Sequence, residues 1–149
     1  MPWDLPKTET RKHDLRVQSA LVELGIPYEI DDEGDFKIRF AMGNGRKHTG
    51  YIRTETYDFE GIELREVYSA ALRSFGPFDA RTMDILLQEN IRLKLGLWSV
   101  AKDDDDNHIA IFKVRVPASA RGQQLLAVIS AVLRVADEME SRLSGRDDY

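Results

Sequence analysis

DARTMDILLQENIRLKLGLWSVAKDDDDNHIAIFKVRVPASARGQQLLAVISAVLRVADEMESRL, residues 79–143, is the stretch whose reading decides the fold. Asp79 is a suitable N-cap for a helix through Asn90, with Met83, Leu86 and Leu87 as its buried stripe. Residues 95–102 and 108–116 then read as the arms of a hairpin turned at Asp103-Asp104-Asp105-Asp106. In the second arm Ala110, Phe112, Val114 and Val116 alternate with Lys113 and Arg115, which predicts a strand with one face covered and one at least partly wet. Pro117 ends that strand. Over residues 119–143, Leu125, Ile129, Val132, Ala136, Met139 and Leu143 recur in steps of four and three, a continuous seam along one long helix. Leu126, Val128, Leu133 and Val135 widen it beyond what one sheet face needs, and Gly145 reads as its cap.

Upstream, residues 1–7 carry two prolines and read as an arm. Trp3 lies in it, where its ring either packs back onto the domain or inserts into a partner. Residues 8–24 read as a helix with Leu15, Val17, Leu21, Val22 and Leu24 apolar, stopped by Gly25 and Pro27. Strands follow at Tyr28 and Ile30, at Phe36, Ile38 and Phe40, and over residues 49–57, separated by turns at 32–35 and at Gly43-Asn44-Gly45. Residues 62–75 admit two readings. Leu64, Val67, Tyr68, Ala71, Leu72 and Phe75 fall at helical spacing, and local propensity favours helix. Alternatively Leu64, Tyr68, Ala70 and Leu72 share one face of a strand, with Glu66 as the misfit.

The chain of 149 residues is about one domain's worth, without repeat or low-complexity linker, and residues 1–149 are expected to form one domain. A net charge of −5 argues against a protein that coats nucleic acid, which needs a basic footprint. There is no cysteine, so disulfides and thiolate chemistry are excluded. No apolar run is long enough to span a bilayer, and the N-terminus lacks the basic start and apolar block of a signal peptide. A cytoplasmic protein with neither nucleic-acid nor membrane partner is expected.

No cluster reads as a reaction centre. The run Asp103–Asp106 lacks the glycine and the closing glutamate of a calcium loop, and reads as a solvated turn rather than a metal site. His13, His48 and His108 fall in separate elements without metal-ligand spacing, and surface or edge positions are expected for them. The segment 43–48 lacks the ending of a phosphate-cradling loop, and no serine sits in a nucleophile elbow. No catalytic residue, cofactor or metal is expected.

In this order of elements the chain resembles the bacterial type III secretion chaperone-like superfamily, and within it the YbjN-like proteins. The resemblance rests on Leu86-Leu87-Gln88-Glu89-Asn90, Gly96-Leu97-Trp98-Ser99-Val100, the strand ending at Pro117, and the segment from Ala131 to Glu140 with its Ala136-Asp137 pair. It covers about residues 80–143. It implies an α+β fold, an antiparallel sheet with helices in the order α-β-β-β-β-α-β-β-α. It also implies that residues 64–72 form a strand, paired with 49–57 around Phe59-Glu60-Gly61. Such proteins are typically small, acidic and often dimeric, the secretion chaperones bind an extended client segment, and no catalytic set carries over.

The expectation is therefore a non-enzymatic protein-binding module of chaperone-like or regulatory type, a homodimer acting on an unidentified protein partner. Trp98, Ile109 and Ile111 are the candidate dimer or partner contacts, with a core position the other reading of Trp98. The rival is a small-molecule-binding or enzymatic domain with a pocket between sheet and helices. A structural subunit of a larger assembly is a third possibility.

Overall fold

A computed structural model describes residues 12–43 and 45–143. The element order is α1 (Leu15–Leu24), β1 (Glu29–Ile30), β2 (Phe36–Gly43), β3 (Arg46–Phe59), β4 (Ile62–Phe75), α2 (Ala80–Arg92), β5 (Leu97–Lys102), β6 (Asn107–Pro117) and α3 (Gly122–Leu143). The six strands form one antiparallel sheet in the order β1-β2-β3-β4-β6-β5. This is the expected α+β arrangement.

Residues 62–75 are strand throughout, so tertiary pairing overrides their helical spacing. Phe59 pairs with Ile62 around Glu60 and Gly61, whose φ of 52° and 86° are those of a tight hairpin turn. The buried face of β4 is not the one read from the sequence. Leu64, Glu66, Tyr68 and Ala70 face out, while Arg65, Val67 and Ser69 are buried. A bulge between Ala70 and Leu72 then turns Leu72 inward with Ala71. The interior polar residues find main-chain acceptors: the Ser69 hydroxyl donates to Thr49 O at 2.5 Å.

One face of the sheet carries the core. Phe36, Ile38, Ile52, Val67, Phe112 and Val114 project from it against Leu125, Ile129, Val132 and Ala136 of α3. The helix comes close enough over β3 that a Cβ on Gly50 would lie 3.2 Å from Leu133 Cδ2. The breadth of the α3 seam has an intramolecular cause, since α1 packs alongside α3 and buries Val17, Ala20 and Leu21. The girth of α3 is thus no reason to invoke a second copy.

Helix α1 begins at Leu15 rather than at residue 8. Asp14 caps it by accepting from Arg16 N at 2.9 Å, and residues 12–14 are not helical. Leu15 and Val22, read as part of its apolar side, are exposed. Helix α3 begins at Gly122, and α2 follows its Asp79 N-cap as expected. The Trp3 arm and the Gly145 cap lie outside the described residues.

The cap of α1 is tied to the sheet by a buried cation. Arg65 is 2% exposed, and its Nη2 donates to Asp14 Oδ2 at 2.6 Å. Its Nη1 donates to Arg53 O at 2.7 Å and Thr54 O at 2.8 Å, in the stretch where the register of β3 against β4 shifts. The guanidinium supplies donors that a regular ladder would have supplied. Removing one partner of such a buried pair typically costs about 3–5 kcal/mol. Arg65→Ala is expected to destabilise the chain by about that amount in chemical denaturation, and a loss under ~1 kcal/mol would contradict this role.

Hydrogen bonds from Arg16 and then Arg65 hold the Asp14 carboxyl well below its ordinary value of 3.8. The folded state therefore binds this proton less readily than the unfolded chain. The resulting stabilisation is complete above about pH 4 and is lost as pH falls further. Asp14→Asn keeps a competent cap but removes the titration. Between pH 5 and pH 2 the wild type should lose more stability than Asp14→Asn in parallel acid melts.

Candidate functional site

The edge strand β5 and the helix α2 carry an exposed apolar feature. Asn90, at the end of α2, accepts from Trp98 N at 2.6 Å and donates to Trp98 O at 3.3 Å. These bonds show that the main-chain groups of Trp98 point away from β6, and the side chain of Asn90 covers them. By strand alternation Val100 and Lys102 present theirs the same way, and among the described residues no strand pairs with them. The Leu-Leu-x-x-Asn segment thus has a physical role: the amide closes one position of a sheet edge and locks α2 against β5.

Gly96 fixes the entry to this strand. Its φ is 80°, and an added Cβ would stand 2.6 Å from Lys113 O and 2.8 Å from Phe112 Cζ. Only glycine fits there.

Helix α2 directs Leu86 inward but leaves Leu87 61% and Ile91 87% exposed, with Leu95 beyond it at 49%. Leu87 was expected in the buried stripe. The sheet ends at β5 beneath α2, so only one line of the helix finds cover. Met83, Leu86, Leu87, Trp98 and Val100 line an apolar hollow of about 110 Å³ there. Its walls carry no titratable side chain. It is small beside the roughly 300–1,000 Å³ of ordinary ligand pockets.

The three residues expected at an interface separate. Trp98 is 4% exposed on the helix-covered face, with its ring 5.5 Å from that of Phe112. Already covered within its own chain, it supports the hairpin rather than presenting a contact surface. Ile109 and Ile111 are half-buried on the opposite, open face. Nothing local marked Leu87, Ile91 and the β5 edge as the exposed side of α2.

His48 corrects the expectation of surface or edge histidines. It is fully buried between β3 and α3, with Nε2 2.9 Å from Ala70 O and Nδ1 3.8 Å from Asp137 Oδ1. Arg46 Nη2, itself partly exposed, donates to the other Asp137 oxygen at 2.7 Å, so these groups fasten α3 to the sheet. At the β5–β6 turn, Asp103 is occupied by the hairpin itself. Its Oδ1 accepts from Asp105 N at 2.9 Å and Asn107 N at 3.0 Å, and Arg73 reaches Oδ2 at 3.2 Å. Bonds from Asn107 first, then Asp105, hold its carboxyl below the ordinary value. Among the described residues no group of three or more histidines and carboxylates converges on a common point. No helix among them is long and apolar enough to cross a membrane.

No protein-family model, curated protein or solved structure matches this chain.

Asn90→Ala leaves the Trp98 main-chain pair without these partners, which typically costs ~1–3 kcal/mol. Its denaturation midpoint should fall accordingly, and hydrogen exchange at the Trp98 amide should accelerate more than at Phe112. Equal acceleration at both sites would mean that the amide does not close the edge.

Proposed function

We propose that the chain is a non-enzymatic protein-binding module of chaperone-like or regulatory type, acting as a homodimer on a protein partner. The observation that carries this reading is the exposed line of Leu87, Ile91 and Leu95 beside the unpaired outer edge of β5. Scattered exposed apolar residues need no explanation, but a line of them along a sheet edge offers a partner both apolar burial and main-chain pairing. A second copy meeting this edge about a two-fold axis would cover both lines at once.

Ile91→Asp places a charge on this line without touching the core. In sedimentation equilibrium the wild type is expected at twice 17.0 kDa and Ile91→Asp at 17.0 kDa, with the same far-ultraviolet dichroism. A wild type that stays at the monomer mass at high concentration would remove the dimer from this reading. A protein partner captured equally well by both forms would remove the edge.

A further inference from the structure

Both ring nitrogens of the fully buried His48 face acceptors. Nε2 stands 2.9 Å from Ala70 O. A carbonyl oxygen can only accept, so Nε2 carries a hydrogen. Nδ1 faces Asp137 Oδ1 at 3.8 Å, and Asp137 is itself only 6% exposed. A neutral ring with its hydrogen on Nε2 turns a lone pair towards that carboxylate. The imidazolium instead presents an N–H on each side, one to the carbonyl and one to the carboxylate.

The surrounding elements contribute charge of both signs. Helix α3 brings Asp137 and, on the same side of the helix, Glu140, which is 1% exposed. From β3 comes Arg46, which meets Asp137 from the rim of this interface, where its side chain is 33% exposed. From β4 come the Ala70 carbonyl and the buried Ser69, whose hydroxyl is committed to Thr49 O. The β2 residue opposite His48 is Phe40, while Arg39 and Lys47 point to the other sheet face by strand alternation. The buried side of α1 is apolar, with Val17, Ala20 and Leu21. Burial opposes a cation here, but a carboxylate within about 4–6 Å favours one. Arg46 reaches the Asp137 oxygen that does not face the ring, so it leaves that contact in place.

We propose that His48 is held as a buried imidazolium and acts as a proton-dependent clamp joining the end of α3 to β3 and β4. The docked helix strengthens proton binding by the ring, so the bound proton strengthens docking of the helix in return. The clamp holds while the proton is bound and weakens as pH rises and the proton leaves. The segment that responds is residues 137–143, with Met139 the core residue it carries. The first turns of α3 are fixed independently by Leu125, Ile129 and Val132. The inference needs neither a dimer nor a protein partner.

The test is nuclear magnetic resonance of the full chain labelled with nitrogen-15, reading the ring nitrogens of each histidine, with His48→Gln to assign the resonance. At about pH 7.5, a unit above the ordinary histidine value of about 6.5, His48 should show two nearly equivalent protonated nitrogens. Asp137→Asn should convert it to the neutral form with the hydrogen on Nε2. Raising the pH of the wild type until the ring loses its proton should lower amide-exchange protection over residues 137–143 relative to 125–132. The loss should be about tenfold for each pH unit by which docking strengthened proton binding. A neutral ring in the wild type, an imidazolium that persists in Asp137→Asn, or a ring that titrates without any change at the end of α3 would each overturn the proposal. If Asp137→Asn does not fold, the wild-type titration alone decides.

Discussion

Arg65 is the group around which the rest of the structure is arranged. A fully charged guanidinium that is 2% exposed is tolerable only if its donors are met. It meets them by gathering three separate pieces of chain: the Asp14 cap of α1 and the Arg53 and Thr54 carbonyls of β3, with β4 as its own support. The irregularity of β3 at this point would otherwise leave carbonyls without donors. The same stretch is anchored on its other side, where Asp35 accepts from Thr54 N at 2.8 Å and the Thr54 hydroxyl donates to Gly34 O. Burial raises the pKa of Asp35, in the opposite sense to Asp14.

Fixing α1 in this way determines which surfaces remain open. With α1 beside α3, the helical layer is complete over the middle strands and stops short at β5. There α2 takes over, held by Asn90 to the strand edge, and the mismatch between a two-sided helix and a one-sided support leaves Leu87 and Ile91 in water. The opposite face has no helical cover among the described residues. It compensates with long side chains whose stems shield the sheet while their charges stay wet, as in the Glu66 cluster. The molecule thus presents an apolar edge and a charged plane of both signs, which are chemically different and lie on different sides of the last hairpin.

Much of this was legible locally. The helix caps at Asp79 and Gly25, the alternation of β6 and the seam of α3 are each set by neighbours within a turn or two, so sequence spacing reports them. The start of α1 was not legible, because Asp14 becomes a cap only when Arg65, far away in the chain, takes its other oxygen. Nor was the inward face of β4, where Arg65 and Ser69 look like surface residues until β3 supplies their acceptors. His48 failed for the same reason, since the carbonyl beside its Nε2 comes from β4 and the carboxylate nearest its Nδ1 from α3. Buried polar residues are the systematic blind spot of hydrophobic periodicity.

The sequence by itself determined the number, order and type of the elements over its last half, because capping, turn chemistry and periodicity are short-range. It also carried the residues that make the edge and the plane, without any sign of which would be exposed. Only the tertiary structure decided which face of residues 62–75 is buried, that Trp98 is interior while Ile91 is not, and that the cations of β2 and β6 share one face. Those outcomes depend on strand pairing and on where a covering helix ends. Both are set by contacts between segments distant in sequence, which no local pattern encodes.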